Sequence, residues 1–400
     1  MKKYLLIAVP AIAVLASCAK NEVYTPETDP QQITFQTVVS RQGTKAMING
    51  TTYPVDVPFG TYAFFLEKGK EWAPETGTSA AADAQIYIPQ SEVKNNGQTS
   101  GYAWTTATAY YWPKQGSLTF FSYSPYLAAL NAATTCDVTN GIKITNWDVD
   151  ANQTVDVMIA DYRPDENHNQ TNAGYNGVPT VFRHKLSQIV AFNFKTDKDY
   201  TNGHTEANAV AGDKFFYINS VKINNILYKG TYTSTNKVDG SATTPVLGAW
   251  VATTDTKDYT WYDNTTGTAF GNTAVAAPCA NTNGYILVLP QTFTEPANLA
   301  DVTGDENIQI TYTIKTYNGT AFTTETVKDV YASIWAIQGG VHEGQTVTAA
   351  TPWAMNKKIS YTITIGLDQI YWAPSAVDWE TQGFEYKINM KLLPRAVTQP

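Results

Sequence analysis

The sequence predicts an all-β protein, and three observations carry that expectation. Hydrophobic residues make up 43% of the 400-residue chain and charged residues only 16%. Tyr, Thr, Asn and Gly are abundant, and β-branched and aromatic side chains fit a pleated surface. Short strand-like runs recur between turns rich in Gly, Pro, Asn and Thr, as in a sandwich, and no long stretch has the 3.6-residue spacing of an amphipathic helix. Four hundred residues suggest two domains of ordinary size. The net charge of −8 and the lack of basic runs argue against a nucleic-acid surface.

The first element is an export signal. Lys2 and Lys3 precede an apolar run, Tyr4 to Ala16, that ends in Leu15-Ala16-Ser17-Cys18. A basic start, a short apolar segment and small residues suit a cleaved signal rather than a spanning helix. "LASC" resembles the lipobox of bacterial lipoproteins, which implies that Cys18 is acylated and becomes the first mature residue. The alternative is an ordinary signal peptide with an incidental cysteine. Several acyl chains would hold the protein on a membrane, since each buried methylene contributes roughly 0.8 kcal/mol. Cys136 and Cys279 remain. Export permits a disulfide between them, and two separately buried thiols are the other reading.

Residues 19–30 read as a tether with Pro26 and Pro30. The run Ile33–Val39 follows, with Ile33, Phe35, Thr37 and Val39 on one face, and it ends at "SRQGTK", which holds Arg41 and Lys45. Further strand runs are expected at 61–66, 108–112, 117–126 and 155–162, and a second series at 178–194, 215–232, 284–293, 307–317 and 358–367. A boundary near residue 186 divides the chain into 1–18 (signal and lipobox), 19–41 (tether and first strand), 42–186 and 187–367 (two sandwiches), and 368–400 (the C-terminal region).

Chemistry is sparse. His168, His184, His204 and His342 fall in no metal-ligand spacing, and neither a nucleophile elbow nor a phosphate-cradling glycine loop occurs. His184 reads as a hydrogen-bonded structural residue. Asp148, Asp150 and Asn152 begin like a calcium loop, but Gln153 stands where that loop needs glycine and Ile159 where it needs glutamate, so the segment reads as a polar turn. Catalysis, a metal and a cofactor are not expected. The 10 Trp, 25 Tyr and 15 Phe suit sandwich cores. Exposed platforms at Trp104, Trp112, Trp250 and Trp261 would support the rival reading, a surface-anchored glycan-binding lipoprotein.

Taken in order, several segments resemble the fimbrillin family, the lipoprotein-derived (type V) pilins of Bacteroidales. They are the Cys18 lipobox, "ITFQTVVSR" (33–41), "VFRHKLSQIVAFNF" (181–194), "VKINNILYKGTY" (221–232), "YILVLPQ" (285–291) and "WAMNKKISYTITIGLDQIYWAPSAVDWE" (353–380). The resemblance implies two tandem transthyretin-like β-sandwich domains. It implies export as an outer-membrane lipoprotein and then cleavage by a trypsin-like Arg/Lys-specific surface protease after the first strand, at Arg41 or alternatively Lys45. It also implies other pilin subunits as partners, in a homopolymer or heteropolymer, and a surface-exposed fimbrium as the destination. A stalk role is expected because a scissile arginine and a donor-like tail are both present; a tip adhesin of the same family is the alternative.

That tail is the last expectation. Phe384, Tyr386, Ile388, Met390 and Leu392 alternate with polar residues, the pattern of a strand with one buried face. It reads as a donor that replaces the lost first strand in a neighbouring subunit, the other reading being an edge strand of its own second domain. Five such side chains give on the order of 7–15 kcal/mol, against ~15 kcal/mol for ordering ten residues. The donor is therefore expected to begin further upstream and span 368–392, adding Ile370, Trp372, Val377 and Trp379, with Pro374 marking a bend.

Overall fold

The computed structural model describes residues 32–39, 53–73, 77–97, 104–167, 177–234, 248–339, 350–367, 370–378 and 390–391. The first half runs β1 (Phe35–Val39), β2 (Phe59–Leu66), β3 (Gln85–Asn95), β4 (Trp104–Thr106), β5 (Ser117–Ser124), α1 (Ala128–Ala133), β6 (Thr134–Asp137), β7 (Gly141–Asp148), β8 (Met158–Ala160), β9 (Arg163–Glu166) and β10 (Val178–His184). All of its strands but β6 and β7 form one sheet in the order β2-β3-β4-β1-β10-β8-β5-β9, and β2 pairs with β5 as well. Strand β5 gives one edge to β2 and the other to β8 and β9. The sheet therefore closes on itself through the β2–β5 pairing, with β9 as a branch on β5.

Strands β2 and β5 are nearly continuous in buried residues rather than alternating, because both of their faces are covered. One face contributes Phe59, Ala63, Leu118 and Phe120 to a core shared with Ile33 and Phe35. The opposite face contributes Tyr62, Phe64, Phe121 and Tyr123 to a second core, shared with Ile142, Ile144 and Trp147 on and near β7.

The second half runs β11 (Ser187–Thr196), β12 (Lys214–Leu227), β13 (Lys229–Thr233), β14 (Ala249–Ala252), β15 (Thr256–Phe270), β16 (Val275–Ala276), β17 (Ile286–Val288), β18 (Asn307–Tyr317), β19 (Phe322–Ser333), α2 (Ile334–Ile337), β20 (Lys357–Ile365), β21 (Ile370–Asp378) and β22 (Met390–Lys391). One sheet is ordered β16-β11-β20-β21-β22, with β17 also on β11, and the other β15-β12-β18-β19. Alternate residues of both, among them Phe192, Phe194, Ile218, Ile223, Ile310, Ile359, Tyr361 and Ile363, meet in one core. This is the two-layer packing that a half-apolar sheet requires.

A further sheet, β14-β13-β7-β6, draws strands from both halves. In it Tyr232 of β13 stands opposite Ile144 of β7, and Tyr232, Leu287 and Leu289 belong to the core beneath β7.

Strands β10 and β11 flank Leu186, where the sequence placed its boundary. The expected strand at 108–112 is instead irregular: β4 forms earlier, at 104–106, and only Tyr111 makes an isolated bridge, to Gln32. The run 155–162 is a strand only at 158–160. Phe384, Tyr386, Ile388, Leu392 and Trp379 lie outside the described residues, as do Cys18, Arg41 and Lys45.

Candidate functional site

The first strand closes the ring. Strand β1 runs parallel to β10 along all five of its residues, from Phe35↔Val178 to Val39↔Phe182. On its other side it meets β4 at Phe35↔Trp104. Two flanking backbone bonds extend its seat: Val178 N–H donates to the Thr34 carbonyl at 2.7 Å, and Ile33 N–H donates to the Tyr110 carbonyl at 2.8 Å.

The alternation seen in the sequence decides which side chains go inward. Ile33 is 1% exposed and Phe35 0%, whereas Thr37 is half-buried. The side chain of Val39 is outside the described residues. Phe35 meets Phe59 and Phe120 edge-on, with ring centroids 5.7 Å and 5.8 Å away, a favourable aromatic arrangement. Trp104 and Phe182 complete the wall through their contacts with Phe59.

Gly177 sets how closely the strand can seat. Its φ of +110° suits glycine, and a Cβ there would lie 2.8 Å from the Phe35 carbonyl carbon and 2.9 Å from its nitrogen. Contacts that short are not available to a side-chain carbon. This wall was not read from the sequence.

The chain returns to the same core at Tyr53, 1% exposed. Its ring stacks on Phe182 at 4.9 Å, and its hydroxyl lies 2.6 Å from that of Ser124. Burial pushes the Tyr53 hydroxyl well above the usual phenol range. Arg41 and Lys45 thus belong to a connection, 40–52, whose two ends, Val39 and Tyr53, are both fixed on this ring.

The C-terminal candidates divide. Ile370, Trp372 and Val377 lie in β21, which pairs antiparallel with β20 along its whole length, from Ile365↔Ile370 to Lys357↔Asp378. Trp372 is 0% exposed in the chain's own second core. Strand "KISYTITIGL" is therefore not the last strand of its sheet. Met390 pairs with Trp372, and Lys391 with Tyr371, on the outer side of β21.

Other groups singled out in the sequence have structural roles. His184 Nδ1 lies 2.7 Å from Asp156 Oδ2 inside the protein, and His204 Nδ1 lies 2.8 Å from Asp213 Oδ2; His168 and His342 are outside the described residues. The Asp148 carboxylate accepts the Ala151 N–H, and Asp150 is paired with Lys257 at 2.8 Å, so the calcium-like segment is a turn closed by a lysine. Among the described residues no three His, Cys, Asp or Glu side chains are grouped to hold a metal. Cys136 and Cys279 are free thiols on different cores, both with raised pKa through burial. Trp104 and Trp261 are buried, and Trp112 and Trp250 are half-buried. None of the four is the exposed platform that the glycan-binding reading required.

The chain is similar to a fimbrial protein from Bacteroides vulgatus at 16% identity, with a TM-score of 0.49, covering 87% of this chain and 99% of the other. It is similar to the fimbrial anchor protein Mfa2 from Porphyromonas gingivalis at 9% identity, with a TM-score of 0.31, covering 88% and 99%. A third similarity, at 11% identity and a TM-score of 0.30, is to the C-terminally truncated tip fimbrial protein Mfa3 from Porphyromonas gingivalis, covering 81% and 94%. No curated protein matches the chain. The Fimbrillin-like family profile matches residues 72–379, more than half of the sequence, and the chain belongs to that family.

Proposed function

We propose that the protein is a structural pilin, a stalk subunit that polymerises by exchanging its first strand for the tail of a neighbour. In this reading it reaches the outer membrane as a lipoprotein acylated on Cys18. A trypsin-like Arg/Lys-specific surface protease then cuts at Arg41, or alternatively Lys45, and frees the subunit from its anchor. Strand β1 leaves with the lipidated piece. The C-terminal region of a second subunit enters the vacated place, and the product is a surface fimbrium for adhesion.

The observation that carries this reading is the position of β1 as one stave of a closed sheet. Its inward residues Ile33 and Phe35 are fully buried, and fully burying such side chains contributes about 1.5–3 kcal/mol each. Without β1, Val178 N–H and the Tyr110 carbonyl lose their partners, and β4 and β10 become free edges beside an apolar groove. Unpaired edges of that kind are templates for another strand. Strand addition supplies main-chain hydrogen bonds for affinity and side-chain pockets for specificity.

The position of the scissile residues fits. Arg41 and Lys45 lie in sequence between Val39, paired in β1, and Tyr53, buried in the same core, so a cut at either separates β1 from a Tyr53 that stays behind. Arg41→Ala/Lys45→Ala tests the route: the reading expects no polymer and a protein retained in the outer membrane. Surface polymer persisting in the double variant contradicts it.

A further inference from the structure

Strand β14 is the end strand of the sheet β14-β13-β7-β6. Its register sets Thr231 opposite Val251 and Tyr232 opposite Trp250. Further along the same register, Thr253 N–H donates to the Lys229 carbonyl at 2.8 Å. Bonded and unbonded pairs alternate along an antiparallel ladder, so Ala249 and Val251 turn their backbone groups to β13. Trp250 and Ala252 turn theirs outward, and among the described residues nothing bonds them.

These two residues line a cavity of about 400 Å³ that β14 shares with segments 290–292 and 352–355. Trp250, Pro290, Pro352, Trp353 and Met355 make its surface apolar, and no charged residue lines it. The wall facing β14 is braced, since Gln291 and Trp353 exchange backbone hydrogen bonds of 2.9 Å and 3.0 Å. Most polar side chains of the lining are engaged inside the protein. Trp250 Nε1 donates to the Lys185 carbonyl, and Trp353 Nε1 to the Tyr361 hydroxyl. The Gln291 amide is bonded to the backbone of Leu227 and Leu289. Of the lining side chains this leaves the exposed Thr292.

We propose that this cavity is a docking site for an extended, uncharged segment of another protein, which adds to β14 as the next strand of its sheet. The site is separate from the seat of β1 and does not depend on strand exchange. Its chemistry selects the occupant. Outward N–H and C=O groups on alternate residues match the groups of a facing strand. The apolar surface takes apolar side chains at every second position, and a charge brought there would be buried without a partner. The open edges of the neighbouring sheet are guarded: β15 carries Lys257, Asp258 and Asp263, and β19 carries Glu325, Lys328 and Asp329. Such charges oppose edge pairing, and β14, "AWVA", has none. A whole sheet from a second copy of this chain would meet the wall at 290–292 and 352–355, whereas a single segment lies between that wall and β14.

The probe is a terminally blocked, fluorescent peptide of about seven residues in which valine alternates with glutamine. It is titrated into the full-length chain and followed by anisotropy. The proposal expects saturable binding, weakened at least about tenfold when every backbone nitrogen of the peptide is methylated. Ala252→Pro removes one outward N–H and leaves the β13 ladder in place, and Thr292→Glu sets a charge in the cavity from an exposed position. Each should weaken binding at least about tenfold. Val251→Thr, at a side chain 72% exposed on the opposite face, should leave it within about twofold. If Ala252→Pro lowers the melting temperature, Thr292→Glu carries the comparison alone. No saturable binding, or binding by Thr292→Glu equal to that of the unaltered chain, overturns the proposal. Self-association of the chain that Thr292→Glu abolishes would put a second copy in the cavity and overturn the choice of partner.

Discussion

Phe35 and Gly177 are the two residues on which the seat of the first strand turns. Phe35 fills an aromatic cage, and Gly177 lets the backbone of residues 34–35 pass at van der Waals distance. Gly177→Ala places a methyl group under 3 Å from that backbone, at a φ that L side chains rarely adopt. Denaturant unfolding of the unprocessed chain should show a loss of about 1–3 kcal/mol, and an unchanged midpoint would contradict the tight seat.

A second residue-scale prediction concerns acid. The Val210 N–H, at 2.7 Å from Asp213 Oδ2, together with Asn202 and His204, holds the Asp213 carboxyl below the usual carboxylate range. The unfolded value is about 3.9, so the stability Asp213 contributes is fully present above that pH. It is lost as the pH falls through the lower folded value. Asp213→Asn should flatten the dependence of the melting temperature on pH below about 4, and an unaltered acid limb would contradict this.

At the scale of elements, β1 is a separable part whose affinity for its seat can be measured. A synthetic peptide of residues 31–40 should bind the processed chain that begins at Gln42. Its Phe35→Ala form should bind roughly 100-fold more weakly, since truncating a buried phenylalanine costs about 3 kcal/mol or more. Equal binding of the two peptides in calorimetric titration would mean that the cage does not select the occupant.

Strand β1 was legible in the sequence because Ile33, Phe35, Thr37 and Val39 alternate with the period of a half-buried strand. Strand β21 was not recognised as part of its own sheet: "IYWAPSAVD" does not alternate and carries a proline, a residue that usually marks a sheet edge. "TAYYW" misled in the other direction, since its aromatics pack around β1 and β5 from an irregular segment. Gly177 and Tyr53 were missed because close approach and long-range stacking leave no local pattern.

At the scale of the whole molecule, the halves are joined by more than the link through Leu186. The β13–β14 hairpin pairs with β7, and Tyr232, 1% exposed, lies in the core of the first half. This pairing was invisible in the sequence because its partners lie far apart along the chain, as Lys143 and Thr233 do. Tyr232→Ala should split a single calorimetric transition into two, with a loss of about 3–5 kcal/mol. A single transition at the original temperature would show that the hairpin does not couple the halves.

The assembly account depends on what becomes of β1 in the fibre. The most direct measurement is N-terminal sequencing of subunits recovered from surface polymer. The account predicts a first residue of Gln42, or Ala46 if Lys45 is the cleaved site. Polymer whose subunits begin at an acylated Cys18 would still contain β1, and would contradict it.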